Sequence, residues 1–182
     1  ALTPGSDAAD LNFSWYSAGK GTPAVKVWKD GSKSSAKVVT GNAESISAEN
    51  WQGKSYSAAN KVNIADYFEE NTQYHYQYTD NYTGDDSVWS AEYDYTTKAT
   101  DKFSVILTGD PQVGASGSSS DKSANDASVA RDAYNWNKTM QQALKTCPDA
   151  SFLLSAGDQI NQSGAAKDDD KKTRESEYAG YL

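Results

Sequence analysis

Phe103-Ser104-Val105-Ile106-Leu107-Thr108-Gly109-Asp110-Pro111-Gln112 is a short apolar run that stops at a glycine and an aspartate. A continuous run of this kind, rather than an alternating one, suits a parallel strand buried on both faces. Downstream, residues 113–125 are rich in Gly, Ser and Asp and predict a loop. Val129, Ala133, Trp136, Met140, Ala143 and Leu144 then recur at helical spacing, with Asp126 placed to cap the helix and Pro148 to stop it. A second apolar run, Ser151-Phe152-Leu153-Leu154-Ser155-Ala156, ends at Gly157-Asp158-Gln159-Ile160-Asn161. Strand, helix and strand in about 55 residues make a βαβ unit, with a right-handed crossover expected.

Upstream of Thr96-Thr97-Lys98-Ala99-Thr100-Asp101-Lys102 the period is different. Leu11-Asn12-Phe13-Ser14-Trp15, Val25-Lys26-Val27-Trp28 and Tyr74-His75-Tyr76-Gln77-Tyr78 alternate, as do Lys37-Val38-Val39, Val62-Asn63-Ile64 and the stretch from Trp89 to Tyr95. Period-2 patterning with β-branched and aromatic enrichment predicts antiparallel strands, about seven in roughly 95 residues, as in a β-sandwich. The corner Tyr67-Phe68-Glu69-Glu70-Asn71-Thr72 runs into Tyr74-x-Tyr76. It resembles the tyrosine corner of fibronectin type III-like sandwiches, with Phe68 and Glu70 where that family usually has Leu and Pro. The expected organisation is a sandwich over 1–98 and an α/β portion over 102–182, with the boundary near 97–102.

Composition explains why the halves differ. Leu, Ile, Val and Phe make up 24 of 182 residues, about 13%, which is low for a folded chain. Five Trp and 12 Tyr compensate, and four of the Trp and nine of the Tyr precede residue 100. The sandwich is therefore the aromatic part. A net charge of −8 lacks the clustered Lys and Arg of a nucleic-acid footprint. No apolar run approaches the roughly 20 residues of a membrane span. One cysteine excludes an internal disulfide framework, and one histidine excludes a site of several histidines within the chain.

Both apolar strands end in Gly-Asp. Ligands of open parallel sheets sit beyond the carboxyl ends of the strands. If the two strands are neighbours, Asp110 and Asp158 should stand side by side, roughly 5 Å apart. Carboxylates that close repel unless a proton or cation lies between them, which suits a divalent metal. A single Gly-Asp after a strand is an ordinary turn; a pair on one βαβ unit points further.

Thr108-Gly109-Asp110-Pro111-Gln112 resembles the first block of the calcineurin-like metallophosphoesterases, Gly-Asp-x-His, with Gln in the histidine place. Gly157-Asp158-Gln159-Ile160-Asn161 resembles the second block, Gly-Asp-x-x-Asp/Asn. A fibronectin-like sandwich joined directly to the first strand is the layout of purple acid phosphatase-like members, and several segments resemble secreted bacterial ones. The resemblance implies a binuclear centre of divalent or trivalent ions (Fe, Zn or Mn) hydrolysing phosphate esters through a metal-activated water. It implies that Asp110 holds the first metal and Asp158 bridges both. Gln112 stands in a ligand position as a weaker, neutral donor, and Asn161 is placed near the metals or substrate. The later Gly-Asn-His and His-containing blocks do not occur. The chain is therefore expected to be the N-terminal portion of a longer enzyme, inactive alone, whose partner is the remainder of its own phosphoesterase domain, in the same or a second chain.

The main rival is a binding or adhesion module whose surface Trp and Tyr take up carbohydrate or protein; a degenerate family member is the other. His75 is expected to be a solvent-facing or packed strand residue, Cys147 a small buried hydrophobe, and Lys167–Lys172 a solvated loop. Near-absence of Cys, abundant Ser, Thr and Asn, and an acidic surface fit an extracellular or cell-surface Gram-positive protein, as the resemblance also suggests.

Overall fold

Alternating side chains of the first hundred residues close into two four-stranded antiparallel sheets. The computed structural model describes residues 1–49, 53–116, 126–161 and 168–182. The first sheet runs β1 (Leu2–Pro4), β2 (Leu11–Ser17), β6 (Ser55–Ile64), β5 (Asn42–Glu49). The second runs β4 (Lys37–Thr40), β3 (Ala24–Lys29), β7 (Gln73–Thr79), β8 (Tyr93–Thr96). Leu11 and Phe13 lie opposite Ile64 and Val62, and Val25 and Val27 lie opposite Tyr78 and Tyr76. Leu11, Phe13, Val25, Val27, Val62 and Ile64, with Phe68 and Tyr74, form the buried core, and Tyr76 and Tyr78 are partly buried against it. Burying one such apolar side chain contributes about 1.5–3 kcal/mol, so the aromatics carry much of the packing.

The corner predicted at 67–76 is tied by one hydroxyl. Tyr74 is buried, its Oη accepts from Glu69 N at 2.8 Å and donates to Tyr67 O at 3.4 Å. Asn71 takes a left-handed φ of 51°, which Asn tolerates because its short polar side chain can bond locally.

Two sandwich strands are absent from the sequence reading. Residues 42–49 carry Ile46 as their one large apolar side chain, so β5 gives no alternation. Strand β1 is three residues long. Conversely, Trp89 lies outside β8, which spans Tyr93–Thr96. Between β4 and β5 the chain passes from one sheet to the other at Gly41, whose N–H donates to Pro23 O at 2.8 Å.

The chain divides into two compact units, Ala1–Ser45 with Ser57–Phe103, and Ile46–Tyr56 with Ser104–Leu182. The second unit holds β9 (Val105–Thr108), α1 (Asp126–Thr146), β10 (Phe152–Ser155) and α2 (Asp168–Tyr181). β9 and β10 pair in parallel, Val105 opposite Phe152 and Thr108 opposite Ser155. Its core is Val113, Val129 and Ala133, with Trp136 stacked on Tyr181 at 5.3 Å.

Three expectations need correction here. The strands are not buried on both faces: Leu107 is 69% and Leu154 53% exposed, and Val105 and Phe152 are exposed with them. Among the described residues, a two-stranded sheet with α1 as its crossover helix leaves one face without a covering layer. Asp168–Lys172 form the start of α2 rather than a loop; Lys167 lies outside the described residues, as does the side chain of Asp126. Cys147 is half-buried beside Ile106 and Ala143 in an open cleft of about 610 Å³, not enclosed as a core residue.

Candidate functional site

The parallel register decides where the strand-end residues fall. Val105 pairs with Phe152, and beyond the strands Val113 bridges Ile160 in the same parallel sense. Counting between these fixed points sets Asp110 level with Gly157 and Asp158 level with Pro111. The aspartates therefore meet the same rim staggered by one residue, not side by side, because both strands end at equivalent places while their Gly-Asp pairs are offset by one.

Both loops turn through left-handed backbone. Asp110 has φ 50°, Gln112 φ 39° and Asp158 φ 42°. An aspartate adopts this region at modest cost, whereas a glutamine there is less common. The turns are pinned by Gln112 N donating to Asp158 O at 2.8 Å and Val113 N to Gln159 O at 3.2 Å. Asn161 N donates to Val113 O at 3.1 Å, and the residue itself is exposed. The loops thus extend the parallel pairing past the strands, and they hold both carboxylates on exposed residues.

Gln112 does more than fill a histidine place. Its Nε2 donates to Asp158 Oδ2 at 3.3 Å, so its amide orients one carboxylate and engages one of its oxygens. Asp110 and Gln112 also border an open cavity of about 500 Å³ together with Asp132, Asn135, Trp136 and Thr139 of α1. Asp132 Oδ2 accepts from Gly114 N at 3.0 Å and from Ser116 N at 3.1 Å, and so fixes the loop after Gln112. Arg131 Nη2 donates to Ser116 O at 2.7 Å from the same helix. Gly114, with φ 103°, is backed by Glu177 of α2, and a methyl at Gly114 would overlap that carboxyl. Glu177 is fully buried. Asp132, Asn135 and Glu177 escape the sequence reading: the first two sit on the polar side of an amphipathic helix, and Glu177 stands in a charged stretch that reads as surface.

Two carboxylates and an amide are hard oxygen donors, which suits Mg-, Mn- or Zn-like ions. They do not complete a coordination shell. Among the described residues no three His, Cys, Asp or Glu side chains come together as a metal group.

No family model matches the chain, and no curated protein matches it. Among solved structures it is similar to a purple acid phosphatase isolated from yellow lupin (Lupinus luteus) seeds, at 15% identity and a TM-score of 0.44. The match covers 61% of this chain and 22% of that one, so the chain spans about a fifth of that protein's length. Similarity at this level transfers no residue roles.

Proposed function

We propose that this chain forms the sandwich and the opening βαβ unit of a binuclear metal-dependent phosphoesterase of the purple acid phosphatase-like kind, its sandwich being fibronectin type III-like. The observation carrying this reading is the pair of Gly-Asp loops on register-locked parallel strands, both aspartates in left-handed backbone at one rim. Strained backbone at polar, exposed residues is a feature that clusters at functional sites. The hydroxyl-tied corner at Tyr74 supports the sandwich assignment.

In this reading Asp110 and Asp158 hold the metals. When bound, the ions lower the pKa of a water and neutralise the phosphoryl oxygens. Gln112 keeps Asp158 oriented through its Nε2, and Asp132 fixes the following loop through two backbone N–H groups. Asn161 offers an exposed amide for a phosphate oxygen. The remaining ligands come from further polypeptide, whose packing would also cover the exposed Leu107 and Leu154. The chain alone is then inactive. Most sandwich rings lie in or against the core, which favours this reading over a carbohydrate- or protein-binding module. An extracellular or cell-surface Gram-positive setting fits the single cysteine and acidic composition.

Mn²⁺ titrated into the 182-residue chain tests this by paramagnetic broadening of amide resonances. Broadening should begin at residues 109–112 and 157–161. Asp158→Asn or Asp110→Asn should weaken it by about tenfold or more. Broadening that starts elsewhere on the acidic surface, for example at Asp85 and Asp86, or that ignores both substitutions, overturns the proposal.

A further inference from the structure

His75 lies in the middle of β7 on the outer face of its sheet, with its side chain 14% exposed. Its Nε2 is 2.9 Å from Asp30 Oδ1, in the turn after β3. Its Nδ1 is 2.8 Å from Asp94 Oδ1 on β8, and 3.4 Å from Glu92 Oε1 just ahead of that strand. The ring stacks on Trp28 of β3 at 5.8 Å, and Lys33 Nζ sits 4.9 Å from the Trp28 ring while pairing with Glu92 at 2.7 Å. Among the described residues, these five are the groups in contact with the ring or with its partners; Lys26, next on the same face of β3, sits instead over Trp89 at 4.4 Å.

A neutral imidazole has one N–H. Here both ring nitrogens point at carboxylate oxygens, and only the imidazolium can donate to both. In the neutral ring, one nitrogen would present a lone pair to a carboxylate. The geometry therefore belongs to the charged form, in which His75 bridges the turn after β3 to β8.

β8 is the element with most to lose. It is a four-residue edge strand whose pairing within its sheet is with β7, and Asp94 is the cross-strand partner of His75. Edge strands are the low-stability end of a sheet, and a cross-strand pair is a sizeable part of so short a ladder. We propose that His75 is a pH-responsive clamp that fastens β8 to the sandwich through Asp94 while anchoring to Asp30 on the other side. Opening the clamp would loosen the cover over Tyr74 and Tyr76, which pair with Tyr95 and Tyr93.

Hydrogen bonding to Asp30 is the largest influence on the His75 pKa; burial comes next and opposes it, and the hydrogen bond to Asp94 with the charges of Asp94 and Glu92 leaves the net value raised above the ordinary 6.5. A group raised on folding contributes its full stabilisation below its unfolded pKa and loses it as pH rises through the folded value. The clamp is thus closed in mildly acidic solution and releases as pH climbs above that of a free histidine.

The chain's single histidine gives one unambiguous imidazole signal for an NMR titration. That signal should titrate above the ordinary value, and Asp30→Asn or Asp94→Asn should each lower the midpoint. Hydrogen-exchange protection of Tyr93–Thr96, corrected for intrinsic exchange and referenced to β2 and β6, should fall as pH rises through it. The fall should be about tenfold for each pH unit by which the midpoint exceeds the ordinary value. His75→Gln keeps one donor nitrogen but can carry no positive charge, and should leave β8 weakly protected at all pH. A midpoint at or below the ordinary value, or β8 protection that tracks β2 and β6 throughout, overturns the proposal. Asp94→Asn gives the same discrimination should His75→Gln fold poorly.

Discussion

Gly41→Ala is expected to destabilise the sandwich by about 3 kcal/mol, the upper end of overpacking costs. A methyl there would overlap the carbonyl oxygen of Lys61 and come within 2.8 Å of Val62 Cγ2. Lys61 is backbone in the central strand β6, held in register against Ser14, so the obstacle cannot rotate away as a side chain would. Gly41 is also the point where the chain leaves one sheet and enters the other, anchored by Pro23 O. A melting temperature lowered by more than about 10 °C would agree, given the usual 4–8 °C per kcal/mol in a domain of this size. A change below about 0.5 kcal/mol would show that β4 and β5 are joined differently.

Tyr74→Ala should cost about 3–5 kcal/mol, as for other large buried aromatics. Its ring packs edge-on against Phe68 at 4.9 Å and tilts against Tyr67 at 5.7 Å, so truncation opens a void among rings that cannot close without moving the corner. Tyr74→Phe separates packing from hydrogen bonding. It keeps the ring and removes the acceptor of Glu69 N, for an expected loss of about 1 kcal/mol. Chemical denaturation of both variants measures the pair. Equal losses would mean that the hydroxyl, not the ring, holds the corner.

The two halves differ in how readily their sequence discloses them. Phe13 and Tyr76 announce their strands because each is flanked by polar residues, and the structure puts both in or against one core. β5 is silent because Ile46 is its one large apolar residue and Ala and Ser carry half of its length, and its place is set by β6 beside it. At the candidate site the two Gly-Asp loops and their parallel strands are readable from residues 103–112 and 151–161. The stagger of Asp110 and Asp158 is not, since it depends on pairing register rather than on either segment. Likewise the outward face of His75 follows from alternation. Its partners do not, for Asp30, Glu92 and Asp94 reach it from two separate segments of the chain. The exposure of Leu107 and Leu154 could not be read either, because an apolar run says what a strand seeks, not what is present to cover it.

That uncovered face bears on how copies of the chain behave toward one another. Leu107 and Leu154 lie on a two-stranded sheet whose outer edges pair with no further strand among the described residues, a surface that invites self-association. Opposing it is the chain's net charge of −8, whose repulsion acts across a Debye length of about 10 Å at 0.1 M salt. Near pH 4.6, the calculated isoelectric point, that repulsion vanishes. In 1 M salt it reaches only about 3 Å. Light scattering should therefore rise in either condition, and Leu107→Glu should suppress the rise while altering stability by less than about 0.5 kcal/mol.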